Sequence, residues 1–259
     1  MTSTRFPLSR AETRARLLSM RGVLFDLDGV LTPTADVHMA AWSRLFTRFL
    51  EDQGVSPAYS EADYFQYIDG KPRYDGVRSL LASRGIQLPD GDPTDAPERN
   101  TVCGLGNRKN EAFNETLAES GVTPYPGSIE FLDYVVAAGL AVAVVTSSRN
   151  GEKTLAAAGI RGRFEIVVDG LLSAERGLAG KPAPDTYELG AALLGLDAVQ
   201  CVVVEDAHSG IQAGRAGNFG LVLGVDRGVG TQTLLDAGAD VVVTDLHELL
   251  PNVETEAGE

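Results

Sequence analysis

Six short apolar runs, rich in β-branched residues, recur along the chain: Gly22–Phe25, Leu140–Val145, Phe164–Val168, Cys201–Val204, Gly220–Gly224 and Asp240–Thr244. The first ends abruptly in Asp26-Leu27-Asp28-Gly29, the pattern of a buried strand entering a polar loop. Helical patterns at Ser128–Ala138, Lys153–Ala158, Pro184–Leu194, Ser209–Gly217 and Thr231–Ala237 separate most of the runs. Strands alternating with helices predict an α/β fold with a doubly wound parallel sheet covered on both faces. The stretch from Ala35 to Ser120 breaks the rhythm, with helix-like patterns at Val37–Leu50, Tyr74–Ser83 and Lys109–Glu119 and a proline- and aspartate-rich loop over Pro89–Pro97. Residues 34–120 are therefore predicted to be a helical cap inserted after the first strand. Residues 1–33 and 121–259 form the α/β core. A long insertion is tolerable because loop-closure entropy grows slowly with length.

A net charge of −14 argues against nucleic acid or an anionic membrane as the partner, since both require clustered cations. A small anionic substrate remains compatible, because a few local cations outweigh the global field within a Debye length of roughly 8–10 Å. Cys103 and Cys201 lie far apart and show no metal-ligand spacing, as expected of a disulfide-free cytoplasmic protein. No apolar run approaches the roughly 20 residues of a membrane span. The segment Met1–Arg21, with Arg5, Arg10, Arg14, Arg16 and Arg21, lacks the apolar stretch of a secretory signal and reads as a helical lead-in, a transit peptide being the alternative.

In doubly wound sheets ligands bind beyond the carboxyl ends of the strands, and the polar residues fall there. Alternation places the side chains of Asp26 and Asp28 on one side, close enough to share a cation, and oxygen-only ligands favour magnesium. A carboxylate there can also attack phosphorus. The bland alternative is a strand end whose aspartates cap a turn. Thr146, Ser147, Ser148, Arg149 and Asn150 follow the second run, where hydroxyls and amides can hold phosphate oxygens or simply cap a helix. Lys181 precedes a proline-started helix and is one of only four lysines against 18 arginines. Glu205 and Asp206 end the fourth run, where Asp206 could serve as a helix N-cap.

Phe25-Asp26-Leu27-Asp28-Gly29-Val30-Leu31-Thr32 resembles the first motif of the haloacid dehalogenase superfamily. Thr146, Gly180-Lys181-Pro182 and Glu205-Asp206 resemble its second, third and fourth motifs, in the required order. The resemblance implies that Asp26 is the nucleophile and forms an aspartyl-phosphate. It makes Asp28 the general acid and base, with its carbonyl oxygen on magnesium, and Lys181 the neutralising cation. Glu205 and Asp206 complete a metal site with Asp26 and Asp28.

From Gly22 to about Leu250 the likeness narrows to the β-phosphoglucomutases and their close relatives. It is carried by Thr34-Ala35-Asp36-Val37-His38 through Trp42, Asp69-Gly70-Lys71-Pro72-Arg73, Asn107-Arg108-Lys109-Asn110, Tyr125-Pro126-Gly127 and Ser148-Arg149-Asn150. By that resemblance His38 assists Asp28, Trp42 and Gly70 line the sugar pocket, and Lys109 contacts substrate from the cap. Arg73, Arg149 and Asn150 hold the phosphate that is not being transferred, and Ser147 and Ser148 also contact substrate. From periodicity alone Trp42 reads as core and His38 as a buried, hydrogen-bonded histidine, and Arg108 is expected to be a solvated surface charge. The implied activity is conversion of β-glucose 1-phosphate to glucose 6-phosphate through glucose 1,6-bisphosphate, by a monomer acting on a small phosphorylated sugar. A sugar-phosphate or phosphoglycolate-type phosphatase shares the same catalytic atoms and stays open. A receiver-like signalling module would lack the cap, and no GxGxxG follows the first strand to support a dinucleotide binder. Pro33 stands where relatives often carry an acid and Arg149 where they carry lysine, and the Asp90–Arg99 loop is longer than such a cap usually has.

Overall fold

Each predicted apolar run becomes a strand in the computed structural model, which describes residues 7–251. The strands are β1 (Gly22–Phe25), β2 (Ala141–Val145), β3 (Ile166–Val168), β4 (Cys201–Glu205), β5 (Leu221–Val225) and β6 (Val241–Val243). They form one parallel sheet in the order β3-β2-β1-β4-β5-β6. The chain winds outward in one direction from β1 to β3 and in the other from β4 to β6, so strand order reverses beside β1 and β4. A crevice must open there at the carboxyl edge, because the connecting helices leave in opposite directions. In register, Phe25 lies level with Val144 and Val204, which brings Asp26, Thr146 and Glu205 to one edge.

Side-chain alternation shares each strand between two cores. Val23, Phe25, Val202, Val204, Leu221 and Leu223 join one buried cluster, and Leu24, Val203 and Val222 join the other. The first cluster is closed by α1 (Arg10–Leu18) and α6 (Pro126–Ala137). Phe25 anchors it, meeting Phe131 and Phe164 edge-on at 6.1 and 6.2 Å between ring centres. The opposite face is closed by α9 (Asp185–Leu193), α10 (His208–Ala216) and α11 (Thr231–Ala237). Short helices α7 (Gly151–Ala157) and α8 (Gly170–Glu175) follow β2 and β3. α1 is the expected helical lead-in, closed at its start by a reciprocal Ser9–Glu12 capping box. The part of that lead-in before Pro7 lies outside the described residues.

Between β1 and α6 the chain builds a helical layer: α2 (Thr34–Asp52), α3 (Glu61–Asp63, continued by a wider π-helical turn, Tyr64–Ile68), α4 (Arg73–Ser83) and α5 (Val102–Ser120). Trp42, Phe46, Phe49, Leu80 and Leu105 form a third apolar cluster separate from the two sheet cores. The α3 stretch carries no clean helical period, and it was not anticipated from the sequence. Tyr64 and Ile68, four residues apart, both face inward, while the Ser60–Asp63 capping box fixes its start. Arg108, expected to be solvated, is half-buried and donates from Nε to the Pro97 carbonyl at 2.7 Å, pinning the proline-rich loop to α5.

Asp63 and Arg84 form a buried ion pair at 2.7 Å that ties α3 to the end of α4. Burial raises the Asp63 carboxyl, but its bonds to Arg84 and Ser60 outweigh that and leave it below its ordinary value. A depressed folded pKa contributes stability above the unfolded value of about 3.9 and loses it as pH falls through the folded value. Asp63→Asn should therefore destabilise the protein at pH 7 by about 1–3 kcal/mol, with the gap to wild type narrowing below about pH 4. Urea melts at pH 7, 5 and 3.5 measure it. A gap that widens toward acid would contradict the assignment.

Candidate active site

β1 stops at Phe25, and the chain then turns tightly instead of continuing as a strand. Gly29 has φ +86°, and a Cβ there would lie 1.8 Å from Asp206 Oδ2, so glycine is required on both conformational and steric grounds. The chain bends at Leu27, so the alternation expected of an extended strand does not carry the Asp28 carboxylate into the acid group around Asp26, a correction to the expected side-by-side pair. Asp26, Glu205 and Asp206 form the carboxylate group, with one oxygen of each within 4.8 Å of the others and all three residues buried. The Asp28 carboxylate turns instead toward Thr34, with His38 Nε2 at 3.4 Å and Thr146 Oγ1 at 3.5 Å. Only its backbone carbonyl is left for the metal role that the family resemblance implies.

Lys181 joins the acids. Its Nζ donates to Asp26 Oδ1 and Glu205 Oε1, each at 2.6 Å, and to the Val145 carbonyl at 3.2 Å. Glu205 is fully buried and also accepts from the Tyr187 hydroxyl at 3.1 Å and the Ala207 amide at 2.9 Å. Tyr187 was missed in the sequence because a tyrosine inside an apolar helix face reads as core. Burial pushes the Asp26 carboxyl well up, Lys181 pulls it back, and Glu205 and Asp28 push it up again. Burial, then Asp69 and Glu205, raise Asp206 likewise. Burial works to lower Lys181, but Asp26 and Glu205 overcome it and hold the ammonium charged. Three crowded carboxylates against one ammonium leave excess negative charge. An all-oxygen donor set of this kind fits a hard divalent cation.

The helical layer supplies the roof. His38 and Trp42 lie one turn apart on α2, and both face a cavity of about 70 Å³ over the acids. Trp42 is also part of the cap core, stacked on Phe46, so both readings of it hold. His38 stacks on Phe113 at 4.1 Å and its Nδ1 contacts Lys109 Nζ. Lys109 sits 5.1 Å above the Trp42 ring. It is buried with no carboxylate partner among the described residues, and burial, then Arg73, push it well below its usual value. Burial and Lys109 lower His38 while Asp28 opposes them. Burial raises Asp28, but His38 and Thr34 more than compensate and leave its carboxyl low. Because His38 is itself biased toward neutral, Thr34 is the steadier support of the Asp28 carboxylate.

A second cationic group lines the same cavity. Arg73 donates to Asn110 Oδ1 at 2.7 Å, and Asn150 donates to the same atom at 2.7 Å. Arg149 reaches the Tyr74 hydroxyl at 3.4 Å. Ser147 Oγ donates to the Gly70 carbonyl at 2.8 Å and Ser209 Oγ to the Asp69 carbonyl at 3.0 Å, so the Asp69–Arg73 loop is fastened to the sheet domain. Gly70, with φ +68°, has no room for a side chain because Ser209 Oγ would lie 2.2 Å from its Cβ. Ser148 donates its amide to Thr146 Oγ1 at 3.0 Å, a local turn that fixes the threonine. Asp206 does not cap α10, whose N-cap is Ala207. Asp69 was not anticipated; it lines the cavity with its carboxyl raised to about 7 by burial and Glu205.

Removing the ammonium while keeping the stem strands two buried carboxylates. Lys181→Met should cost about 3–5 kcal/mol in urea unfolding without divalent ions. A loss below about 1 kcal/mol would show that the acids are not held by this pair.

The sequence profile of the haloacid dehalogenase-like hydrolases matches residues 20–218. A Mycobacterium tuberculosis protein named beta-phosphoglucomutase is 47% identical over 252 residues, covering 92% of this chain and 96% of the relative. Hexitol phosphatase A of Escherichia coli is 32% identical over 200 residues, covering 76% and 79%. The solved structure of a beta-phosphoglucomutase from Clostridium difficile shares the fold, with a TM-score of 0.71 at 22% identity over 89% of this chain and 93% of that one. The sheet order, the four motifs (three at the ends of β1, β2 and β4, and Lys181 in the loop before α9) and these similarities agree: the chain is an enzyme of the haloacid dehalogenase-like hydrolase family, in its β-phosphoglucomutase-like branch.

Proposed function

We propose that the protein is a β-phosphoglucomutase that converts β-glucose 1-phosphate to glucose 6-phosphate through glucose 1,6-bisphosphate, with Asp26 as the phosphorylated nucleophile. The observation that carries this reading is a site with two cationic groups. Asp26 and Glu205, bridged by Lys181, line the cavity, and so do Arg73 and Arg149, which have no carboxylate partner among the described residues. A phosphatase needs to hold one phosphoryl group, whereas a mutase must hold two and exchange them. The named relatives support the same choice, and the 32% identity to a hexitol phosphatase keeps hydrolysis as the competing outcome.

In this reading residues 34–120 act as a cap over the sheet domain, and closure excludes water so that the aspartyl-phosphate is passed to a sugar hydroxyl. Lys181 holds Asp26 in place and offsets charge as the phosphoryl group arrives. Thr146 and the Ser147–Ser148 turn orient phosphoryl oxygens. Asp28, poised as a carboxylate by Thr34, takes the proton from the attacking hydroxyl and returns one to the leaving oxygen, with His38 beside it. Arg73, Arg149 and Asn150 grip the phosphate at rest, and Lys109 with Trp42 and Gly70 lines the sugar. Magnesium, held by Asp26, Asp206, Glu205 and the Asp28 carbonyl, would supply positive charge against the phosphoryl oxygens.

Phosphorus NMR of the protein with β-glucose 1-phosphate, Mg²⁺ and a trace of glucose 1,6-bisphosphate should show glucose 6-phosphate growing in. Inorganic phosphate as the main product would make it a phosphatase. Asp26→Asn should lower turnover by at least about 10³-fold while the protein stays folded.

A further inference from the structure

The loop after β5 places one arginine against the catalytic turn, outside every motif used above. Arg227 Nε donates to the Gly29 carbonyl at 3.0 Å, and its Nη1 donates to the Thr244 carbonyl at 2.9 Å. The guanidinium carbon lies over the Tyr125 ring, 3.8 Å from its centre. Asp245 Oδ2 is 3.9 Å from Nη2, beyond hydrogen-bond reach.

These contacts meet where the chain crosses between the sheet domain and the helical layer. The outward crossing is Thr32-Pro33, directly after the turn that carries Asp28. The return crossing is Gly121–Tyr125, and the Tyr125 amide donates to the Leu31 carbonyl at 3.0 Å. Gly29 is the softest joint between Asp28 and the rest of the turn, since it has no side chain to restrain it. Its amide is fixed by the Thr32 carbonyl at 2.8 Å, and its carbonyl by Arg227. Ser128 Oγ secures the next carbonyl, Val30, at 2.6 Å. Arg227 is thus the side chain that restrains Gly29 and stacks on the return crossing at the same time.

We infer that Arg227 is a positioning residue for phosphoryl transfer: it locks the Gly29 peptide so that Asp28 faces the reacting oxygen, and it holds that turn against the Tyr125 end of the return crossing. The inference rests on the acid–base role of Asp28 but not on the identity of the sugar. Only arginine serves both contacts, because its guanidinium packs over the ring while its fork reaches two carbonyls. Lysine can replace the Gly29 contact but not the fork with the ring contact.

The test uses Mg²⁺-dependent hydrolysis of acetyl phosphate, which requires the aspartyl-phosphate chemistry and no sugar, beside turnover of β-glucose 1-phosphate. If the mutase reading fails, only the second assay is silent. Arg227→Met should lower kcat for acetyl phosphate by about 10–100-fold with KM within about threefold, the scale of effect expected when a reacting group is misplaced by about 1 Å. Arg227→Lys should fall between, and it keeps the test readable if the methionine variant folds poorly. Tyr125→Leu combined with Arg227→Met should be no worse than Arg227→Met alone, because the two side chains act as one clamp. A kcat within twofold of wild type in folded Arg227→Met, a loss carried entirely by KM, or fully additive losses in the double variant would each overturn the inference.

Discussion

A single buried ammonium underlies the site. Lys181 lies between Asp26 and Glu205 at 2.6 Å from each, on a sheet edge where Glu205 is fully buried and Asp26 nearly so. Isolated ionised carboxylates in such a place cost several kcal/mol each. The lysine offsets that cost, and Tyr187 and the Ala207 amide satisfy the remaining lone pairs of Glu205. Asp26 accepts its one side-chain bond from the lysine and is otherwise crowded by acids. It is therefore the carboxylate best placed to be held in position without being engaged on every side. The charge left over after Lys181 is what makes the carboxylate group suited to a hard divalent ion.

The sheet topology explains why those residues meet at all. Parallel strands deliver their carboxyl ends to one edge, and the reversal beside β1 and β4 opens that edge between helices. The helical layer then adds what the edge lacks. It brings Lys109 and Arg73, cations without carboxylate partners among the described residues, and the aromatic wall of Trp42 and Phe113. Fixed polar links fasten the layer where it matters: Ser147 to Gly70, Ser209 to Asp69, and Asn150 to Asn110. In this arrangement the acid group sits on strand ends and the cations without carboxylate partners among the described residues, Lys109 and Arg73, on the inserted helices.

Much of this could be read from the chain. The six strands were legible because buried parallel strands are continuous apolar runs, and the strand-end polar residues stand out against them. What could not be read follows from turns and long-range packing. The chain bends at Leu27, between Asp26 and Asp28, and ends the alternation there, so spacing alone misplaced the second carboxylate. The α3 stretch escaped because its π-helical turn shifts the apolar period. Tyr187 and Arg227 serve the site through contacts 18 and 198 residues away in sequence, and no local pattern marks them, while Thr34 and Asp69 fall in recognised stretches that did not reveal their contacts. Arg108 was misjudged for the same reason: its partner is a backbone carbonyl on a loop that the helix pattern does not reveal.

The most direct measurement asks whether phosphorus bonds to Asp26. The enzyme is incubated with acetyl phosphate and Mg²⁺, quenched in acid, reduced with borohydride and digested for peptide mass spectrometry. An acyl phosphate is then recorded as reductive loss of the carboxyl oxygen at the modified aspartate. The account predicts that mark at residue 26 and at no other acid of the cavity. A mark on Asp28 or Asp206 instead, or none in protein that turns over acetyl phosphate, would contradict it.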